Sequence, residues 1–187
     1  VDYDMPGAGD SVEFVELYNA GATPVTLADY TLILINGSGT PAAYRSLALG
    51  GAGTTLAPGG YLLIGAAAVT GGGTKFTPPV GSADNQWPAT DAIQNGAPDG
   101  LLLVNTATTT VVDKLAYEGA LSITFVAPSP FVAFGTVNLV EMTAATAIDD
   151  PAAPASMVRI PNGTDTNNAA ADWAMTTTLT PGAANVP

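Results

Sequence analysis

The acidic residues nearest the amino end of the sequence have a spacing that could hold a metal ion. They stand at positions 1, 3, 9 and 12 of a twelve-residue stretch and are Asp2, Asp4, Asp10 and Glu13. Gly7 stands at position 6, as in calcium loops, where a tight turn brings six to eight oxygen ligands around a hard cation. However, Pro6 at position 5 offers no side-chain oxygen, and the following residues predict a strand instead of a helix. The spacing predicts a calcium site, and the alternative is an acidic hairpin turn without an ion.

A second acid in the same run, Glu16, raises the question of a catalytic pair. Residues three apart in a strand point to opposite faces, so Glu13 and Glu16 cannot flank one glycosidic bond. Because a partly buried carboxylate needs a donor, we expect Glu16 to be held by backbone amides or by Arg159. Neither acid is predicted to be catalytic, and the sequence indicates that the chain is not an enzyme.

A third polar stretch, residues 162–168, contains Asp165 and is followed by Asp172 and Trp173. Asn and Asp side chains commonly close their own turns, so this stretch favours a structural role for Asp165. The alternative is a cluster of metal ligands. Trp173 is predicted to fill the core.

The composition argues against several classes of function. The 187 residues contain no Cys and no His, which removes thiolate chemistry, Ser-His-acid catalysis and most zinc catalysis. The net charge of -12 leaves only 4 basic residues to contact phosphates, so we expect no nucleic-acid partner. No apolar run reaches the ~18 residues of a membrane helix, and no membrane insertion is expected. The composition is typical of a secreted protein, extracellular or at the cell surface, and we expect any signal peptide to lie outside this chain.

Alternating apolar residues predict an all-β fold. Strands are expected in residues 11–19, 30–37, 101–104, 111–117 and 157–160, between turns rich in Gly, Pro and Asn. Residues 56–65 predict a turn at 58–60 followed by a short strand. Residues 67–91 predict a loop, and residues 118–154 predict an insertion with one or two extra strands. We expect a single domain over residues 1–187, built as a β-sandwich or a barrel.

Five motifs occur in an order that resembles one family. They are EFVELYNAGATPVTLADYTLILING, LAPGGYLLIG, IQNGAPDGLLLV, VVDKLAYEG and VRIPNGTDTNNAAADWAMTTTLTPGAAN. Together they resemble the bacterial lamin-tail domain, and residues 118–154 match least. The resemblance implies an immunoglobulin-like β-sandwich with a long insertion before the last strands, in an extracellular or cell-surface setting, without implying an activity. Glu16 and Asn19 fall in the ELYN segment, where structural polar roles are expected.

Two functional interpretations follow. The first is a non-catalytic extracellular structural protein that associates with copies of itself into an oligomer or polymer, optionally stabilised by calcium. Residues 121–142 and the edge beside the first strand are its candidate surfaces for strand addition. The alternative is a calcium-dependent adhesion module, or a carbohydrate- or partner-binding module, of a bacterial surface protein. In that case Trp87 and Tyr44 would be exposed aromatic platforms on loops.

Overall fold

A computed structural model describes residues 1–4, 10–52, 55–147 and 154–187, and short strands dominate them. The strands are β1 Phe14–Tyr18, β2 Val25–Thr26, β3 Tyr30–Asn36, β4 Ala42–Ala48, β5 Thr55–Leu56, β6 Tyr61–Gly65, β7 Thr74–Phe76, β8 Asp99–Asn105, β9 Thr110–Tyr117, β10 Ser122–Thr124, β11 Thr136–Asn138, β12 Ser156–Arg159 and β13 Trp173–Thr176. The helical elements are α1 Ala169–Asp172 and 3-10 turns at Leu27–Asp29, Leu49–Ala52 and Val132–Phe134. The prediction of an all-β fold is confirmed.

The central sheet has four antiparallel strands in the order β4-β3-β8-β9. Strand β3 is apolar at successive positions because both of its faces are buried, as the sequence predicted. Ile33 and Ile35 point to one side of the sheet, whereas Leu32 and Leu34 point to the other. The hairpin predicted around the polar turn NTATTT is formed by β8 and β9.

The second sheet contains β1, β6 and β7, and the amino-terminal residues connect it to the pair β12-β13. Asp2 and Phe14 exchange two backbone hydrogen bonds, of 3.0 and 3.1 Å. Val1 and Met157 exchange two more, of 2.7 Å from the α-ammonium and 2.8 Å to the Val1 carbonyl. The backbone of residues 1–2 therefore lies between β1 and β12 and links the two groups of strands.

The main hydrophobic core lies between these two sheets. Its large buried side chains include Tyr3, Leu32, Leu34, Leu47, Leu49, Leu62, Ile64, Trp87 and Tyr117. The rings of Tyr3 and Tyr117 stack with centroids 4.4 Å apart, which joins the first residues to the central sheet. Two sheets packed face to face over such a core form a β-sandwich of immunoglobulin-like type, as predicted.

The segment that follows β9 covers the opposite face of the central sheet. A second apolar cluster forms there from Ile33, Ile35, Leu102, Val104, Ala116, Leu121, Ile123, Phe125, Phe131, Val137 and Leu139. The hairpin of β10 and β11 approaches closely at Gly100, where an added Cβ would lie 2.5 Å from Cδ2 of Leu139. Within the described residues, this part of the predicted insertion at 118–154 is a third layer packed on the sandwich.

Residues 67–91, predicted as a loop, contain the short strand β7 and a backbone bridge between Val80 and Trp87. Strand β7 pairs in parallel with β6, and Phe76 at its end packs against the main core. Three residues are too few to display an alternating apolar pattern, which is why the sequence did not indicate this strand.

Candidate functional site

The densest group of charged side chains surrounds Arg159, the last residue of β12. Four carboxylates lie within 3.4 Å of its guanidinium: Asp113 at 2.8 Å, Asp165 at 3.2 Å, Glu141 at 3.4 Å and Asp172 at 3.4 Å. The guanidinium also lies 4.9 Å from the ring centroid of Trp173, within range of a cation–π interaction. One guanidinium therefore forms ion pairs with four carboxylates, and the Arg159 side chain is only 9% exposed. We call these five charged residues the Arg159 cluster.

Burial and mutual repulsion control protonation in the Arg159 cluster. Burial raises the pKa of Glu141, and the neighbouring carboxylate of Asp113 raises it further. Burial also raises the pKa of Asp113, against the opposing effect of Arg159. For Arg159 itself, burial lowers the pKa, but the surrounding carboxylates outweigh burial and keep the pKa above its ordinary value. The guanidinium is therefore a permanent charge that holds the cluster together.

Asp172 differs from the other carboxylates because it closes the turn before α1. It accepts hydrogen bonds from the Thr166 amide (2.8 Å), the Thr166 hydroxyl (2.7 Å) and the Asn168 amide (3.3 Å). Burial alone would raise the pKa of Asp172, but these donors lower it below its ordinary value. Asp165 closes its own turn by accepting the Asn167 amide at 2.9 Å. The turn-closing interpretation of residues 162–168 thus agrees with the geometry.

Three members of the Arg159 cluster have the spacing of metal ligands. Asp113, Glu141 and Asp165 each offer an oxygen within 4.8 Å of the others, the one such group in the part of the chain that the structure describes. Arg159 contacts all three, so an added cation would compete with the guanidinium. Of these three acids, the sequence pointed only to Asp165. Asp113 and Glu141 come from separate segments and form no motif with it along the chain.

The four acids of the predicted calcium loop have other contacts. The Asp2 side chain is buried, Asp4 accepts a hydrogen bond from Asn95 Nδ2 at 3.1 Å, and the Asp10 carbonyl accepts the Asp91 amide at 2.9 Å. Residues 5–9, with the predicted glycine and proline positions, lie outside the described residues. A calcium site at Asp2, Asp4, Asp10 and Glu13 therefore stays a prediction.

Glu13 anchors the segment that follows Trp87. Its carboxylate is 1% exposed and accepts the amide of Ala92, with longer bonds of 3.3 Å from the amide of Ile93. Burial raises the pKa of Glu13 to about 8, although the two amides oppose that shift. Asp10 and Asp91 add a smaller repulsive contribution. The Glu13 oxygens, which were expected to bind calcium, thus accept hydrogen bonds from backbone amides.

Glu16 and Asn19 have structural contacts. The carboxylate of Glu16 accepts the amide of Gly182, so the backbone alternative agrees with the structure, whereas Arg159 is held by the acids of its own cluster. Burial raises the pKa of Glu16. Asn19 Nδ2 donates to the carbonyls of Thr23 (2.9 Å) and Leu56 (3.0 Å), which fixes the turn after β1.

Neither of the two predicted aromatic platforms is an exposed ring, since Trp87 is buried and Tyr44 is half-buried. Trp87 is 2% exposed and belongs to the main core, and its backbone forms a bridge with Val80. Tyr44 packs against that core, and its hydroxyl accepts the Gln94 amide at 3.0 Å. The expectation of exposed rings at Trp87 and Tyr44 is therefore wrong. Trp173, predicted as a core residue, is partly buried against the core and Arg159.

Comparisons with known proteins agree with this fold. None of the helices in the described ranges is long and apolar enough to cross a membrane. No curated protein and no solved structure shows a significant match to the sequence. The family model described as Lamin Tail Domain matches residues 1–119, which is more than half of the chain and ends where the third layer begins. The chain therefore belongs to the lamin tail domain family.

Proposed function

We propose that this chain is a non-catalytic structural module that works outside the cell and associates with copies of itself. The observation that carries the proposal is the apolar surface of the third layer. Val126 and Val132, which flank one turn of this layer, are 65% and 50% exposed. Solvent-exposed apolar side chains on one layer are a feature of protein contact surfaces.

A groove beside these valines supports the choice of this surface for self-association. It has a volume of about 300 Å³ and lies between the edge of β4 and the outer side of β10. Its charged lining residues are Arg45 and Asp84, one of each sign, and the other lining residues are uncharged. We call the groove and the two valines the third-layer surface. Two strand edges beside a groove with one charge of each sign favour association by strand addition.

Electrostatics favour this surface over the others. Two copies of a chain with a net charge of -12 repel one another, and repulsion is weakest where the contact itself is neutral. Salt screens charges separated by more than about 8–10 Å, so association through a neutral contact should strengthen as salt is added. This salt dependence distinguishes the proposal from association through opposite charges.

The non-catalytic part of the proposal is supported by how the buried acids are used. The chain has no His and no Cys, and the carboxylates of Glu13, Glu16 and Asp172 accept backbone amides. Such contacts fix the chain and leave these groups poorly placed to move protons to or from a substrate. The binding-module alternative loses support because Trp87 and Tyr44 are not exposed as platforms.

The test of self-association is sedimentation velocity of the purified chain over a range of protein and salt concentrations. We expect oligomers that grow with both, and we expect the double variant Val126→Lys/Val132→Lys to be monomeric. Val80→Lys is the matched control, because Val80 is 72% exposed but is not part of the third-layer surface. A monomer under all conditions would contradict self-association, and an unchanged double variant would contradict the choice of surface.

Calcium stabilisation is a separate part of the proposal with its own test. Thermal unfolding in calcium and in EDTA should differ by several degrees if an ion binds the folded chain. Asp4→Ala removes a ligand of the predicted amino-terminal site, whereas Glu141→Gln alters the Arg159 cluster. Loss of the calcium effect in the first variant alone would support the amino-terminal site, and equal melting in both buffers would refute a calcium role.

Fractionation of the native cells tests the extracellular placement.

A further inference from the structure

Three asparagine residues of this chain are followed by glycine, at Asn36, Asn95 and Asn162. Asparagine is thermolabile, and a following glycine makes it most prone to deamidation because glycine has no side chain to shield its amide nitrogen. In this reaction the glycine nitrogen loses its proton and forms a bond to the asparagine Cγ. The Cγ–Nδ2 bond breaks, ammonia leaves with the proton, and a succinimide ring remains. Water then opens the ring to aspartate or isoaspartate.

One buried carboxylate holds the glycine nitrogens of two of these pairs. Asp99, the first residue of β8, is 2% exposed. Its Oδ1 accepts the Gly37 amide and its Oδ2 accepts the Gly96 amide, both at 3.1 Å. The Gly37 amide also donates to the Pro98 carbonyl at 2.9 Å. Each oxygen of Asp99 is therefore bound to a nitrogen that deamidation would need as its nucleophile.

The hydrogen bonds to Asp99 oppose the first step of deamidation in two ways. The glycine nitrogen must turn towards Cγ of the preceding asparagine, which breaks a hydrogen bond to a charged acceptor. The nitrogen must also lose its proton, and the resulting negative charge would lie beside the carboxylate of Asp99. A carboxylate is too weak a base to remove a peptide proton itself. Asp99 therefore slows the reaction and does not assist it.

The fold requires glycine at only one of these two positions. A Cβ at Gly37 would lie 2.7 Å from Cδ1 of Leu121 and would overlap the Pro98 carbonyl, so a larger residue cannot replace this glycine without a shift of the backbone. At Gly96 the nearest atom to an added Cβ is Oδ2 of Asp99, at the ordinary contact distance of 3.8 Å. Gly96→Ala therefore removes the reactive pair at position 95 while leaving room for the new methyl group.

The third Asn-Gly pair is held by contacts that do not involve Asp99. Asn162 Nδ2 donates to the Tyr61 hydroxyl at 2.9 Å, and Asn162 Oδ1 accepts the Asn185 amide at 3.0 Å. These hydrogen bonds fix the side-chain amide that would be attacked, whereas Asp99 binds the attacking nitrogens of the other two pairs. Asn162 is therefore an internal reference within the same molecule.

We propose that Asn36 and Asn95 are latent sites of deamidation and that Asp99 suppresses the reaction at both. Asn95 depends more on Asp99, because Asn95 is exposed and the Gly96 amide has no other acceptor among the described residues. At Asn36 the Pro98 carbonyl still accepts the glycine amide when the carboxylate is removed. Isoaspartate at either position would lengthen the main chain next to β3 or β8, so Asp99 protects the pairing of the central sheet.

The experiment measures deamidation of the wild type, Asp99→Ala and Asn19→Ala during incubation at mildly alkaline pH. Digestion and mass spectrometry give the rate at each asparagine, and enzymatic methylation detects isoaspartate. Asn19→Ala is the matched control, because it removes side-chain hydrogen bonds from a turn without an Asn-Gly pair. In Asp99→Ala we expect deamidation to accelerate by about 10- to 100-fold at Asn95 and by a smaller factor at Asn36. The rate at Asn162 should not change.

Adding Gly96→Ala to Asp99→Ala should slow the reaction at Asn95 again while Asn36 stays accelerated, which assigns the attacking nitrogen. If Asp99→Ala does not fold, Asp99→Ser keeps one acceptor and should show the same order of sites with smaller factors.

Two results would overturn the proposal. Equal acceleration at all three Asn-Gly pairs, or the same pattern in Asn19→Ala, would show that Asp99 acts only through global stability. Deamidation at Asn95 as fast in the folded wild type as in the chain unfolded in urea would show that the Gly96 amide is not protected. Neither result depends on self-association through the third-layer surface.

Discussion

Replacing Glu13 with glutamine isolates one buried ionisation that should control stability. Burial raises the pKa of Glu13 from 4.5 to about 8 in the folded chain. Between those values the folded chain holds a proton that the unfolded chain has released, so the free energy of unfolding must fall as pH rises. At about 1.4 kcal/mol per pH unit, the whole span corresponds to about 5 kcal/mol. The stabilising contribution is complete below the unfolded pKa and is lost as pH rises through the folded pKa.

Urea unfolding of the wild type and of Glu13→Gln, from about pH 4 to about pH 9, measures this contribution. The glutamine cannot ionise but keeps a carbonyl oxygen for the amides of Ala92 and Ile93. Subtracting the variant's free energy of unfolding from that of the wild type cancels the other titrating carboxylates. This difference should fall by several kcal/mol across the range. A difference that is constant with pH would refute the assignment of a buried, proton-binding carboxylate to Glu13.

Three further substitutions test the packing and the charges. Arg159→Met leaves four carboxylates without their cation, so the free energy of unfolding should drop by about 3–5 kcal/mol in urea at neutral pH; a loss below about 1 kcal/mol would contradict the role of the cluster. Trp87→Ala should lower the free energy of unfolding by about 3–5 kcal/mol in the same assay because the ring is buried. The control Val80→Ala should lower it by under about 0.5 kcal/mol because Val80 is exposed. Similar losses of stability in the two variants would contradict the burial of Trp87. Gly100→Ala should lower the melting temperature because its Cβ would meet Leu139. Leu139→Ala is itself destabilising because Leu139 is buried, but the loss in the double variant should be smaller than the sum of the two single losses if the third layer packs there.

The strands were predictable because most carry their own signal. Strand β3 is apolar at successive positions, which indicates burial on both faces, and the polar turn between β8 and β9 marks a hairpin. Strand β7 was missed because its three residues acquire strand geometry only by pairing with β6. Local pattern therefore indicates long strands well and short ones poorly.

The charged site was only partly predictable. Arg159 and Asp165 were expected to have structural roles, but Asp113, Glu141 and Asp172 lie far apart in the sequence and meet around one guanidinium. The acids of the amino-terminal run have the spacing of a calcium loop, yet the Glu13 carboxylate binds amides contributed by residues 92 and 93. Spacing specifies which side chains are close along the chain and says little about donors brought by distant segments.

The sequence by itself determined the class of fold, the family and the absence of histidine and thiol chemistry, because composition, alternation and motif order are local properties. Only the tertiary structure decided which acids surround Arg159, which face residues 121–142 cover, and that Trp87 belongs to the core. These features depend on which segments meet when the two sheets close over the core, and burial then sets the pKa values and contacts of the polar groups enclosed there.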